Sequence, residues 1–143
     1  DAVLETAASV VNCQISHENP VRLPLVGDRP MEYHGTMGLP ILLEELARAA
    51  GGVTAGSRPA CDAGWVPESR LIGQSGRTVS PDLFISVGAS GAPHYTTGFA
   101  KSKIIVAVDR NPKAPIFDVA DFGIAGDLRE VLPAFVAELK REA

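Results

Sequence analysis

The sequence predicts an α/β domain organised around a mostly parallel sheet, and three patterns carry that expectation. Short apolar runs at Val53–Ser57, Leu83–Val87 and Lys103–Val108 each stop at a polar residue or a glycine, as strands buried on both faces do. Longer stretches at Leu39–Ala50 and Leu128–Leu139 carry apolar residues at helical spacing. The alternation of strand, polar end, short crossover and strand is that of a parallel sheet with right-handed connections.

Taken in order, residues 1–30 resist a single reading. Val3, Leu4, Ala7, Ala8 and Val11 fit one helical face, and Val10–Ile15 fits a strand equally well. His17 to Pro20, Pro24, Gly27–Asp28 and Pro30 interrupt regular structure, so residues 1–30 are expected to be an arm or interdomain connection and residues 31–143 the compact domain. Leu39, Leu42, Leu43, Leu46, Ala47 and Ala50 then share a helical face, which Gly51–Gly52 ends. The strand Val53–Ser57 follows, and Arg58–Pro59 leaves it. Cys61–Pro67 reads as a loop with Trp65 packed against its underside. Leu71–Ile72 leads into a Gln74-Ser75-Gly76 turn. Leu83–Val87, apolar apart from Ser86, is the next strand and stops at Gly88. Pro93–Ala100 reads as a short helix or loop, Lys103–Val108 as a second central strand ending at Asp109, and Phe122–Ala125 as a third short one. In the last helix Leu128, Val131, Leu132, Phe135, Val136 and Leu139 keep helical spacing, with Asp127 as N-cap; Pro133 is expected to split this run into a turn and a helix.

The chain has 143 residues, enough for one domain with a real core plus an arm. Its formal charge is −4, and its 13 Lys and Arg form no basic cluster, which argues against nucleic acid and anionic membrane surfaces as partners. No apolar run approaches the roughly 18 residues of a membrane span, and no basic signal-peptide start precedes one. Cys13 and Cys61 lack metal-ligand spacing and read as two reduced thiols, so a soluble, intracellular protein is expected. The chain begins at Asp1 rather than Met, as a processed chain or an excised domain would.

Ligands of open α/β sheets bind beyond the carboxyl ends of the strands, where glycines let backbone N–H groups approach an anion. Those ends present Ser57 and Arg58, Ser75 and Gly76, Ser90 and Gly91, Asp109, and Asp127 on one edge. Glycine turns suit a pyrophosphate, an acid after a strand suits ribose hydroxyls, and an arginine suits an electron-rich ring. Each has a plainer reading beside it: Gly88–Gly91 as a tight turn, Asp127 as a helix cap, Asp109 as a solvated strand end. His94 lies near Ser90 without a nucleophile elbow, and His17 and His34 sit in broken polar stretches, so acid–base catalysis is not expected. Tyr33 and Tyr95 read as packing residues with one solvated hydroxyl.

Several motifs occur in unbroken order between about Leu39 and Leu139: Gly56-Ser57-Arg58, Asp62-Ala63-Gly64-Trp65-Val66-Pro67, Ile72-Gly73-Gln74-Ser75-Gly76-Arg77-Thr78-Val79, Pro81-Asp82-Leu83-Phe84, Gly88-Ala89-Ser90-Gly91-Ala92, Ala114-Pro115-Ile116-Phe117, Ala120-Asp121-Phe122-Gly123 and Gly126-Asp127-Leu128. Together they resemble the C-terminal, FAD-binding domain of the electron transfer flavoprotein alpha subunit. The resemblance implies a three-layer domain like the deoxyhypusine-synthase nucleotide-binding fold. It also implies noncovalent FAD, a beta-subunit partner, flavoprotein dehydrogenases as electron donors, and a quinone-reducing or other redox acceptor. Such a protein carries electrons rather than converting a substrate, in the bacterial cytoplasm or the mitochondrial matrix. Arg58 would lie by the isoalloxazine, and Ser75 would replace the family's threonine at flavin N5. Gln74, Gly76 and Arg77 would line the flavin and ribityl region, Ser90, Gly91 and Ala92 the ribityl and pyrophosphate, and Asp109 and Asp127 the adenosine half.

Three positions differ from the family pattern. Its second glycine turn commonly reads Ser-Gly-Ala-Ile-Gln-His, with the histidine near flavin O2; here His94 takes the glutamine position and Tyr95 the histidine position. A tyrosine donates a hydrogen bond but brings no positive charge. Asp109 replaces a common asparagine, and Met31–Gly38 replaces a glycine-arginine-glycine turn before the Leu39 helix. The alternative reading is a module of the same fold that holds another adenine nucleotide or NAD without electron transfer.

Overall fold

The computed structural model describes residues 9–13, 25–26, 29–30, 39–62, 64, 66–89 and 91–142. In chain order the strands are Ser9–Cys13 (β1), Leu25–Val26 (β2), Arg29–Pro30 (β3), Val53–Gly56 (β4), Leu83–Val87 (β5), Ile104–Asp109 (β6) and Phe122–Ala125 (β7). The α-helices are Leu39–Ala49 (α1), Arg58–Asp62 (α2), Pro93–Thr96 (α3), Ile116–Val119 (α4) and Leu128–Glu142 (α5), with a 3₁₀ turn at Glu68–Arg70. Five strands form one sheet in the order β4-β1-β5-β6-β7, and every pairing in it is parallel. β2 and β3 pair antiparallel as a separate ribbon.

The strand reading of Val10–Ile15 is observed over Ser9–Cys13, inside the segment expected to be an arm. This strand lies between β4 and β5, with Val11 opposite Thr54 on one side and Ile85 on the other. The register brings the carboxyl ends level: Cys13 faces Gly56 and Val87, Val87 faces Val108, and Asp109 faces Ala125.

Alternation along the strands fills two cores. Phe84, Ile105 and Ala107 join Ile72, Val79, Tyr95, Phe99 and Ile116 on one face, where the Phe84 and Phe99 rings stack at 3.9 Å. Ile85, Val87 and Val108 meet Leu43 and Leu46 of α1 and Leu128, Leu132 and Val136 of α5 on the other. Each Leu, Ile, Val or Phe among them contributes about 1.5–3 kcal/mol when fully buried. The connections between β5, β6 and β7 belong to the first face, and the two long helices to the second. Gly51 ends α1 at φ 67°, a conformation that favours glycine, while the Gly52 N–H donates to the Ala47 carbonyl at 2.7 Å.

Two helical expectations need correction. Residues 58–62, expected to leave β4 as open chain and loop, form α2. Pro59 sits in its first turn, where a missing N–H breaks no helical hydrogen bond, and the Cys61 N–H donates to the Ser57 carbonyl at 3.1 Å. α5 runs unbroken through Pro133. That proline is exposed, so its ring lies on the solvent side of the helix rather than against the core. Trp65, Tyr33, His17, His34 and the Met31–Gly38 stretch lie outside the described residues. No helix among the described residues is long and apolar enough to cross a membrane.

Candidate cofactor site at the carboxyl edge of the sheet

The chain passes from β1 outward to β4 and then returns to β5 on the opposite side of β1. Connections that diverge in this way leave a crevice beyond the carboxyl ends of the two strands at the reversal, the usual ligand position in open α/β sheets. Here that position lies beyond Cys13 and Val87, and Gly88 follows directly on Val87.

Ser57 follows β4. Its residue is 3% exposed, and its Oγ has no hydrogen-bond partner among the described residues. A buried hydroxyl left in that state costs about 1–3 kcal/mol, so a ligand atom that satisfied it would recover this. Arg58 opens α2 and projects a half-exposed guanidinium, with Nη1 bonded to Glu68 Oε1 and 3.7 Å from Asp62 Oδ1. The bond from Glu68 pushes the arginine further above its ordinary pKa, so it is a fixed cation already flanked by carboxylates.

The first glycine turn is set by backbone bonds. The Ile72 N–H donates to the Gly56 carbonyl at 2.9 Å, which ties the turn to the end of β4, and the Arg77 N–H closes it on the Leu71 carbonyl at 2.8 Å. Gln74, Ser75 and Gly76 are exposed, and Arg77 is half-buried. The Gln74 N–H donates to the His94 carbonyl at 2.7 Å, and the Val79 N–H to the Gly98 carbonyl at 2.7 Å. A Cβ on Gly98 would lie 2.6 Å from the Gly73 nitrogen. The first glycine turn therefore meets α3 and the turn after it through backbone, with no room for a side chain at Gly98.

In the second turn Gly88 and Gly91 have φ of 74° and 99°. A Cβ on Gly91 would lie 2.5 Å from the Ile116 nitrogen, so this turn is packed against α4. Ala92, half-buried, precedes α3, and its carbonyl accepts the Tyr95 N–H at 2.9 Å. Ser90 lies outside the described residues. His94 is exposed. Tyr95 is 2% exposed, its ring tilted against Phe99 at 4.8 Å. Its hydroxyl, read from the sequence as solvated, is 2.8 Å from the buried Ser86 Oγ.

Asp109 stands further along the same edge and is 1% exposed rather than a solvated strand end. Its Oδ1 accepts the Asn111 N–H at 2.8 Å, and its carbonyl accepts the Gly126 N–H at 3.0 Å, which joins the ends of β6 and β7. Asp127 is half-buried, and its carbonyl accepts the Val131 N–H at 2.9 Å at the start of α5. Among the described residues no group of three or more His, Cys, Asp and Glu could hold a metal ion. Sequence reasoning passed over Gly98, Ser86 and Glu68. Gly98 left one faint signal, an isolated glycine just past a short helix.

Residues 35–100 match the family model of the electron transfer flavoprotein FAD-binding domain. The chain carries the FAD-binding domain of the electron transfer flavoprotein alpha family. It is 46% identical over 100 residues to the electron transfer flavoprotein subunit alpha of Thermoanaerobacterium thermosaccharolyticum, covering 70% of this chain and 30% of that protein. It is 45% identical over 98 residues to the mitochondrial subunit alpha of Arabidopsis thaliana, 68% of this chain and 27% of that protein. It is 44% identical over 100 residues to the acryloyl-CoA reductase electron transfer subunit beta of Anaerotignum propionicum, 69% and 27% respectively. The chain thus spans under a third of the length of these curated relatives.

The electron transfer flavoprotein FAD-binding domain takes a ligand with a pyrophosphate, ribityl and ribose hydroxyls and a redox-active ring. The residues present fit such a ligand. Ser57 offers a buried hydroxyl with no other partner among the described residues, the two glycine turns offer backbone at close approach, Arg58 offers a fixed cation, and Asp109 offers a buried carboxylate.

Proposed function

We propose that this domain holds FAD noncovalently along the carboxyl edge of its sheet and serves as the flavin-bearing part of an electron carrier. The observation that carries the reading is Ser57, whose buried Oγ lacks a hydrogen-bond partner among the described residues beside the strand-order reversal. Arg58 would face the isoalloxazine with Gln74, Ser75, Gly76 and Arg77. Ser90, Gly91 and Ala92 would follow the ribityl and pyrophosphate, and Asp109 and Asp127 would address the adenosine half. His94 and Tyr95 would border the ring, His94 from the solvent side and Tyr95 from within the core, where its hydroxyl is engaged with Ser86. Bound FAD supplies the redox chemistry; the chain's part is to bind, orient and set the charge around it.

In this reading residues 31–143 carry the cofactor, joined by β1, in a three-layer arrangement of the deoxyhypusine-synthase nucleotide-binding type. An electron transfer flavoprotein beta subunit would complete the carrier, flavoprotein dehydrogenases would reduce it, and a quinone-reducing or other redox protein would oxidise it. The bacterial cytoplasm suits those partners, as does the mitochondrial matrix. Asp109 favours a second reading, a module holding NAD or another adenine nucleotide, because a buried acid at a strand end suits ribose hydroxyls. A spectrum decides between the two. Protein purified with near-equimolar flavin absorbance that dithionite bleaches supports the first; thermal stabilisation by NAD or AMP, with none by FAD, supports the second.

A further inference from the structure

Arg58 is the first residue of α2, and Asp62 stands four residues on, on the same helical face. Glu68 is ten residues away but returns to Arg58 because its segment is fastened to β4 on one side and to α2 on the other. Downstream of it, Arg70 Nη1 reaches the Thr54 carbonyl at 3.5 Å and Thr54 Oγ1 at 3.4 Å, and the Ile72 N–H bonds the Gly56 carbonyl. Upstream, Cys61 Sγ lies 3.8 Å from the Pro67 carbonyl. The side chains of Arg58 and Glu68 are 41% and 72% exposed, and ion pairs this open add little to fold stability. Two carboxylates on one arginine at the ligand edge therefore matter more for the charge presented to the ligand than for holding the chain together.

We infer that Glu68, backed by Asp62, is the counter-ion that positions Arg58 and limits how much of its positive charge reaches a flavin bound at the carboxyl edge. This rests on the proposed FAD reading of the site. Two-electron reduction of a flavin with uptake of one proton leaves one more negative charge on the ring, and a nearby cation favours that form. A carboxylate bonded to the same cation offsets it, so Glu68 holds the midpoint potential below the value that Arg58 alone would give.

The test is a redox titration of the FAD-loaded protein in the wild type and in Glu68→Gln, Glu68→Asp, Asp82→Asn and Arg58→Ala/Glu68→Gln. Asp82 pairs with Lys103 at 2.9 Å at the amino end of β5, so its neutralisation removes an equal charge from the opposite edge. Glu68→Gln should move the potential to more positive values, which is the same as a several-fold gain in affinity for reduced over oxidised FAD. Glu68→Asp should restore the wild-type value, Asp82→Asn should leave it unchanged, and rising salt should shrink the Glu68→Gln shift. Removing Arg58 as well should abolish that shift. An unchanged or lowered potential in FAD-loaded Glu68→Gln overturns the inference, as does a shift of the same size in Asp82→Asn. If Arg58→Ala/Glu68→Gln releases its FAD, the Glu68→Asp rescue and the Asp82→Asn control decide. Failure of the wild type to load FAD instead removes the site reading on which the inference stands.

Discussion

At the scale of single residues, a hydroxyl without a partner and a hydroxyl with one make opposite predictions. Ser57 Oγ is buried and makes no hydrogen bond among the described residues, so Ser57→Ala should not destabilise the unliganded protein and should stabilise it by up to about 1–3 kcal/mol. The same change should weaken FAD binding by about 2–10-fold, the worth of one net hydrogen bond. Thermal melts and flavin titrations on the two proteins check both halves. Ser86 and Tyr95 are the contrary case, because each satisfies the other inside the core at 2.8 Å. Tyr95→Phe removes the partner of the buried Ser86 hydroxyl and should cost about 1–3 kcal/mol in denaturant unfolding; the Ser86→Ala/Tyr95→Phe double substitution should cost less than the sum of the two single ones. Tyr95 also shows what the sequence left unread at this scale. Its place in the family pattern was visible in Ala92-Pro93-His94-Tyr95, but the direction of its ring depends on Phe99 and Ser86, and nothing local announces them.

At the scale of elements, the first glycine turn and α3 act as a pair. Gly98 allows the first turn to reach the carbonyl of His94, and a methyl group there would press on the Gly73 nitrogen at 2.6 Å. Gly98→Ala should destabilise the fold by about 1–3 kcal/mol and also lower FAD affinity, because pushing the first turn away from α3 moves Gln74–Arg77 relative to His94 and Tyr95. Calorimetry with and without FAD measures both effects, and a loss of stability at unaltered affinity would show that the first turn and α3 are positioned independently. Elements with a strong local period were legible: Leu83–Val87 matches β5 residue for residue, Phe122–Ala125 matches β7, and the Leu39 helix differs from α1 only at its end. The reading failed at proline. Arg58–Pro59 reads as chain leaving β4 where it forms the first turn of α2, and Pro133 as the split of a helix that continues, because the cost of a proline depends on which N–H it removes and whether water replaces it.

At the scale of the whole molecule, the order β4-β1-β5-β6-β7 makes the first strand interior to the sheet. Sequence periodicity identified a strand option at Val10–Ile15 but not its neighbours, since pairing with Val53–Gly56 and Leu83–Val87 is set by distant residues. The site followed the same divide: its strand-end residues were visible one by one, while the reversal at β1 that draws them to a crevice was not. A chain shortened to residues 31–143 would leave β4 and β5 without the strand between them. It should lose cooperative unfolding in calorimetry and aggregate at concentrations where the full chain stays monodisperse. A sharp, reversible transition in the shortened chain would show that residues 31–143 fold alone.

That same interior strand imposes a schedule on synthesis. Ser9–Cys13 leaves the ribosome before either neighbour, gains one flank when Val53–Gly56 emerges, and waits for Leu83–Val87 to cover the other. Through that interval one row of its peptide groups has no strand to answer it, and such long-range closure is slow. The nascent segment is thus most open to chaperone capture between the emergence of β4 and that of β5, a window that cotranslational protease sensitivity would time.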